Sequence, residues 1–539
     1  MDARVTGATS TQTLWRDLRR FRYLSYLGTP QARSSRGTPV SPLGRSPEAG
    51  VSPIDTISCK TGMVRWQWVF VVSIVLVAGC ADPKEIDLDT VEGTTTQVQP
   101  PEVDTTTTTA ATTSIATTTI TTPTSPKWET GSSDYLYDQQ MLHTFELTIS
   151  EDALAEIDGD PSEEVYVEGS LTFEGETVTP IGVRYKGSIG AWAGCLTGEN
   201  LFEPDGAKTC TKLSVKIKIN WNDNSQTFWG VKKLQFHSMN LDPTQMHERL
   251  GYWLFREMGV PAPRATHARL SINGKFVGLY AFVEQIDGRF VDRLFDDGDG
   301  NLYKEVWPLD EDGNARERSE FQQALKTNEE DDVTVTHIRT FSKELAAAEK
   351  NELPDVAAKW TDIVEVMRWA VVDRAIRNDD GPLHWYCFDG CNNHNFYWYE
   401  EPTSGQLHLI PWDLDNSFQN IVSDVSPVTA IADEWGKTSN DCLPFPYGAW
   451  RIPQRSAACD RLTGAWATFV TEHDQARAAF LAGPFSEEST RTTLDQWAEQ
   501  IRDATIEAAS THQDALPVEK WNLALSNLSS ALEVARNKG

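Results

Sequence analysis

The chain predicts an α+β fold in two lobes, strand-rich first and mainly helical second, preceded by segments that build no core. Three observations carry that prediction. From Phe145 to Glu284, short runs alternate apolar with polar residues, the period of half-buried strands. Asn273-Gly274, a strong two-residue turn signal, joins two of these runs into a hairpin. Beyond Asp355 most of the chain shows helical spacing, interrupted by one pair of aromatic strands.

Residues 1–62 are rich in Arg, Ser, Pro and Gly and show no sustained periodicity; they read as a misassigned start ahead of Met63 or a disordered extension. Residues 63–80 have the form of an export signal. Met63-Val64-Arg65 opens a short basic region, and the apolar run Val69–Gly79 is too short to span a membrane. Its end, Leu76-Val77-Ala78-Gly79-Cys80, resembles a bacterial lipobox. That implies cleavage before Cys80, lipid on its thiol, and a membrane-anchored, extracytoplasmic protein; an uncleaved anchor helix is the rival. Within 81–126, the stretch from Thr94 is mostly Thr with scattered Pro and reads as an extended tether.

The folded body is expected over 127–539, with its lobes at about 127–305 and 306–539. Strands are expected at Phe145–Ile149, Val165–Gly169, Val183–Tyr185 and Ser214–Ile219. Met246–Met258 has helical spacing, with Gly259 as its stop and Pro261 beyond. Ala268–Asn273 and Lys275–Glu284 make the hairpin. In the second lobe, helical patterns run over Asp355–Arg377, Ala465–Leu481, Glu487–Ala508 and Val518–Asn537.

With 48 Lys and Arg against 78 Asp and Glu the net charge is −30, which argues against nonspecific nucleic-acid binding. Of eight cysteines, setting aside Cys59 and Cys80 leaves six that fall into local pairs: Cys195 with Cys210, Cys387 with Cys391, Cys442 with Cys459. Zinc is the competing use, but no Cys-x-x-Cys pair supports it.

The chemistry concentrates in His394-Asn395-Phe396-Tyr397-Trp398-Tyr399, a polar turn, and Leu409-Ile410-Pro411-Trp412-Asp413-Leu414-Asp415. Two carboxylates at one strand end can share a cation. Upstream, Asn378-Asp379-Asp380 closes a helical run. These are parts that a magnesium-nucleotide phosphotransferase needs.

Here the sequence resembles the CotH kinase family, named after a bacterial spore-coat protein and distantly similar to protein kinases. The matching segments follow in order: Arg184-Tyr185-Lys186-Gly187-Ser188, Lys212-Leu213-Ser214-Val215-Lys216-Ile217, Trp229-Gly230-Val231-Lys232-Lys233-Leu234, and Ile272 to Gln285. They continue through Asn378-Asp379-Asp380, His394-Asn395 and Trp412-Asp413-Leu414-Asp415. The resemblance implies a bilobal, protein-kinase-like fold and an atypical protein serine/threonine kinase using ATP with Mg²⁺ or Mn²⁺. Its acceptor would be an envelope or surface protein. It gives Asp380 the catalytic-base position and makes Asn395, Asp413 and Asp415 the metal ligands. Lys186, Lys212 and Lys216 are candidate nucleotide cations, and Glu284 resembles the hinge beside the adenine pocket.

Plainer readings stand beside these. Asp380 can be a turn residue, each lysine part of a solvated strand face, and Glu284 a buried ion-pair partner. Asp373 and Asn378 have the Asp–Asn spacing of ordinary kinases, but Asp373 lies inside the helical run. No Gly-x-Gly-x-x-Gly loop is present, so phosphate cover is expected from Lys186-Gly187-Ser188. The alternative function is an inactive surface binding protein, an adhesin or a coat or wall assembly module. A metal-dependent hydrolase fits less well, since no His-rich ligand set accompanies the carboxylates.

Overall fold

In the computed structural model the strands of the first half close on themselves. The structure describes residues 131–198, 200, 203–329, 334–387, 390–421, 442–447 and 451–538. The expected prefix, export signal, Cys80 anchor and Thr-rich tether all lie outside the described residues.

Seven strands form the closed barrel: β1 (His143–Ile149), β2 (Val167–Phe173), β3 (Glu176–Tyr185), β4 (Val215–Lys218), β5 (Lys233–His237), β6 (Ala265–Ile272) and β7 (Lys275–Val283). The spatial order is β1-β2-β3-β4-β5-β7-β6. Every pairing is antiparallel except the closing one, where β6 runs parallel to β1 with His143 opposite Ala268. Alternation drives this closure. In β1, Phe145, Leu147 and Ile149 point inward while Thr144 and Thr148 stay exposed. Phe145 stacks on Phe173 with ring centres 4.5 Å apart and meets Phe236 edge-on at 5.2 Å. Each buried ring contributes about 1.5–3 kcal/mol, and closure leaves the barrel no open edge.

The hairpin β6–β7 turns at Asn273 and Gly274, both with positive φ (51° and 74°), as the Asn-Gly pair requires. A helix, α1 (His247–Glu257), crosses from β5 to β6. Beyond the barrel, β8 (Asn301–Lys304) joins the expected aromatic pair, β11 (Phe396–Glu400) and β12 (Leu407–Pro411), in a three-stranded sheet. Four short strands, β9 (Trp385–Cys387), β10 (Cys391–Asn392), β13 (Phe445–Tyr447) and β14 (Ile452–Arg455), form another.

Helices fill the remainder of the second lobe. The run expected over Asp355–Arg377 is broken into Leu353–Trp360 and α2 (Ile363–Ile376), because Asp362 caps α2 by accepting the Val364 and Glu365 amides. Likewise Ala465–Leu481 resolves into Arg461–Trp466 and Val470–Ala482. The last two helices, Glu487–Thr511 and Val518–Lys538, form as expected. A cluster of tryptophans fixes this lobe: Trp307 lies 5.5 Å from Trp398 and 5.9 Å from Trp466. All three local disulfides are present. The result is an α+β fold of two lobes, each with its own hydrophobic core.

Candidate active site

The end of β12 is shaped by close packing. Trp412 donates its amide to the Asn395 carbonyl (3.1 Å), and Asp413 then adopts a left-handed conformation with φ 57°. Such a position costs a non-glycine residue on the order of 1 kcal/mol. It is held by the Tyr252 hydroxyl, which accepts the Asp413 amide at 2.9 Å, and by Leu414, which is fully buried against α1. Gly251 lets α1 come this close: a Cβ there would lie 2.8 Å from Leu414 Cδ1. His247 donates from Nδ1 to the Asp415 carbonyl (2.9 Å), fastening the turn to the first residue of α1.

The second approach is the end of α2. Arg377 caps it in the left-handed region, and the chain turns through Asn378 and Asp379 to Asp380. Asn395 donates its side-chain amide to Asp380 Oδ2 at 2.8 Å. Burial pushes the Asp380 carboxyl up to about 7; the Asp413 and Glu305 charges act the same way, while hydrogen bonds from Tyr386 and Asn395 oppose them. The competing pair is closed off. Asp373 is fully buried, takes the Asn378 amide at 2.9 Å, and is pushed well above the usual carboxylate range by burial. Of the two candidates, Asp380 is the one that faces the other carboxylates.

The barrel supplies the third side. Lys186 follows β3, and its ammonium donates to Gln235 Oε1 (3.1 Å) and to His237 Nε2 (2.7 Å), 5.3 Å from the Trp412 ring centre. His237 Nδ1 lies 2.7 Å and 2.8 Å from the two oxygens of Glu248, the second residue of α1. Burial lowers the Lys186 pKa, with the Asp413 and Glu248 charges opposing. Burial and the Asp413 charge push Glu248 up to about 8. Burial, then Asp413, Glu248 and Asp380, raise Asp415 well above the usual carboxylate range.

Five carboxyl groups therefore influence one another here: Glu248, Glu305, Asp380, Asp413 and Asp415. The cations beside them are Lys186 and Lys304. Lys304 lies 3.4 Å from Glu305, and its burial is outweighed by Glu305, Tyr397 and Asp413, which raise its pKa. Carboxyl groups crowded in this way hold their protons more readily, a divalent cation can take the place of those protons, and carboxylate and amide oxygens are the ligands Mg²⁺ and Mn²⁺ take. One ligand atom each of His237, Glu248 and Asp413 lie within 4.8 Å of one another. His237 is an unsuitable member of that trio, because both its ring nitrogens are already hydrogen-bonded.

The outer face of β3–β5 is the opposite case, rich in donors. Lys216 lies across from Arg184 on β3 and Gln235 on β5. Burial, then the Lys186, Lys233 and Arg184 charges, push Lys216 well below the ordinary lysine value. Gln235 Nε2 and Arg184 Nε are buried with no acceptor among the described residues. A ligand with several anionic oxygens would satisfy such a face.

Two expected residues lie apart from this cluster. Lys212 donates to the Leu279 carbonyl (2.9 Å) over the Tyr280 ring, and burial lowers its pKa to about 8. Glu284 is held by Arg264 (2.7 Å) and Arg293 (2.6 Å), the buried ion-pair arrangement. The amide of Gly187 is also committed, donating to Glu164 Oε1 at 3.2 Å. Lys186, Lys216, Asp380, Asn395, Asp413 and Asp415 are brought into one cluster connected by charge and hydrogen bonds. Glu248 and His237 escaped sequence reasoning: a lone Glu in a helix's first turn reads as a dipole partner, and His237 ends a strand, Lys233-Leu234-Gln235-Phe236, that already alternates polar with apolar residues.

The CotH kinase protein family matches residues 183–533, a span that contains every residue brought into this cluster. The inner spore coat protein H of Bacillus subtilis (strain 168) is 24% identical over 201 residues, covering 35% of this chain and 51% of that protein. An inner spore coat protein H-like protein of the same organism is 36% identical over 63 residues, covering 12% of this chain and 20% of that protein. The chain thus spans about half the length of the first relative and a fifth of the second. Among solved structures, HipA of Shewanella oneidensis MR-1, in complex with HipB and operator DNA, aligns with TM-score 0.24 and 13% identity. That alignment covers 64% of this chain and 67% of the other. The Helicobacter pylori proinflammatory kinase CtkA aligns with TM-score 0.22 and 10% identity, over 58% and 94%. At those scores neither structure bears on the fold here. The family match covers well over half of the sequence and takes in the barrel face, α1, the end of α2 and the Asp413 turn, so this chain belongs to the CotH kinase protein family.

Proposed function

We propose that this chain is an atypical protein kinase that moves the γ-phosphate of ATP to a Ser or Thr hydroxyl of an envelope or surface protein. It would work with Mg²⁺ or Mn²⁺, outside the cytoplasm, anchored by lipid on Cys80. The observation that carries the proposal is the pairing of two unbalanced surfaces. One is a barrel face with the Lys216 ammonium and two buried donors that lack an acceptor among the described residues (Gln235 Nε2 and Arg184 Nε, whose Nη1 pairs with Glu164), and the other is a cluster of crowded carboxyl groups.

Asp413, Asp415 and Asn395 offer oxygens to a metal, and Lys186, Lys216 and Gln235 offer donors to phosphate oxygens. Bound between these surfaces, a metal–nucleotide pair would neutralise the charge that develops as the phosphoryl group moves. Asp380 is oriented by Asn395 to accept the proton of an incoming hydroxyl. The Trp412 ring beside Lys186 and the buried Tyr252 hydroxyl at the Asp413 amide cover one side of each group. The test is transfer of label from γ-³²P-ATP to casein, a generic Ser/Thr acceptor, and to the chain itself. The proposal expects metal-dependent label on Ser or Thr. Nucleotide binding without transfer to any protein would leave a binding module, and absence of both would refute the proposal.

A further inference from the structure

Lys186 Nζ and the Glu248 carboxyl group are bridged by the imidazole of His237, which stands between them. Elementary chemistry fixes how it stands. An ammonium has three donors and no acceptor, so His237 Nε2, 2.7 Å from Lys186 Nζ, must accept. The ring proton is then on Nδ1, where it donates to Glu248 Oε1 and Oε2. The imidazole is thereby aligned with its acceptor toward Lys186 Nζ and its donor toward the Glu248 carboxyl oxygens. Each bond polarises the other where the ring and the carboxyl group are buried. His237 and Glu248 are 6% and 4% exposed, and the Trp412 ring stands edge-on to the imidazole at 5.8 Å. The strand end is pinned as well, since Ser238 donates its amide to Ser214 Oγ at 2.9 Å.

We infer that His237 is a positioning residue: it links Glu248 on α1 to Lys186 and holds the ammonium beside the Asp413 carboxylate cluster, where it meets a nucleotide's phosphate oxygens. The inference rests on the kinase proposal above and adds one part to it. With Gln235 Oε1 and His237 Nε2 taking two of the Lys186 protons, one is left for the ligand. The same geometry removes His237 from the metal's ligand set, since neither nitrogen is free.

The experiment compares the wild-type chain with His237→Leu and His237→Gln by titration with ATP plus Mn²⁺ and with Mn²⁺ alone. Leucine removes both bonds while keeping bulk. Glutamine keeps an acceptor and a donor on one side chain. His237→Leu is expected to bind ATP–Mn²⁺ about ten- to a hundredfold more weakly, the range of a lost hydrogen bond to a charged group. His237→Gln should recover most of that affinity, and Mn²⁺ alone should bind all three equally, outcomes a merely structural histidine would not produce. If His237→Leu folds poorly, Glu248→Gln carries the test: it should weaken ATP–Mn²⁺ to a similar extent, with His237→Gln adding little in the same chain. Undiminished ATP binding by His237→Leu overturns the inference, as does failure of glutamine to rescue. Loss of Mn²⁺ binding in His237→Leu overturns it in favour of a metal ligand. A wild-type chain that binds no nucleotide refutes the kinase proposal itself, a different result from a wild type that binds and a leucine variant that binds as well.

Discussion

Asn395 donates its side-chain amide to Asp380 at 2.8 Å from a backbone position with φ 59°, a left-handed conformation that Asn tolerates better than most residues. Fifteen residues separate the two, and the β9–β10 hairpin with its Cys387–Cys391 disulfide lies between them. Asp380→Asn should therefore keep the fold and keep ATP binding. It should lower phosphoryl transfer about 10²- to 10⁴-fold, the contribution typical of a positioned base. Label transfer and ATP titration on the same preparation check both halves.

Gly251 and Leu414 offer a test of how the Asp413 turn is supported. A Cβ at position 251 would meet Leu414 Cδ1 at 2.8 Å and Leu414 Cβ at 3.4 Å. Gly251→Ala should cost about 1–3 kcal/mol through overpacking, with Leu414→Ala in the same chain recovering part of the alanine's clash. Urea unfolding of the single and double variants measures this.

Glu284 governs part of the acid response. Burial pushes its carboxyl up, but Arg264 and Arg293 outweigh burial and hold it below the usual glutamate range. A carboxyl with a depressed folded-state pKa adds stability above its unfolded value, and that stability is lost as pH falls through the folded one. Glu284→Gln should destabilise the chain by about 3–5 kcal/mol at neutral pH, because two guanidinium groups lose their shared partner. The variant should also lose less stability than the wild type on going to pH below about 4, since the titrating group is gone. Melting curves across pH read both effects.

The proposed lipid anchor is tested separately. Cys80→Ser should abolish incorporation of labelled palmitate in a bacterial host and release the chain from the membrane fraction. Retention of the serine variant at the membrane would point to an uncleaved helix instead.

Features set by local pattern were legible in the sequence: the Asn273-Gly274 hairpin, the aromatic strand pair, and disulfides that close loops of 15, 4 and 17 residues. What required distant partners was not. Nothing local announces that β6 will lie parallel to β1 and close the barrel. Lys212 and Lys216 look alike as neighbours of one strand, yet one reaches the Leu279 carbonyl and the other stands beside Gln235. Glu284 looks like a hinge residue until Arg264 and Arg293 are seen on either side of it. The helix break at Asp362 was readable, since an Asp before Ile-Val-Glu is a cap signal, but the apolar spacing on both sides hid it.

The most direct measurement is thermal melting of the purified chain with and without ATP plus Mg²⁺ or Mn²⁺, beside Asp413→Asn. Asparagine suits the left-handed position of Asp413, so the variant removes charge with little strain. Saturation at about a hundred times Kd should stabilise the wild type by about 2.7 kcal/mol, seen as a clear rise in Tm. Asp413→Asn should lose most of that rise while melting normally without ligand. No rise with either metal, or an equal rise in the variant, would contradict a metal–nucleotide site at Asp413.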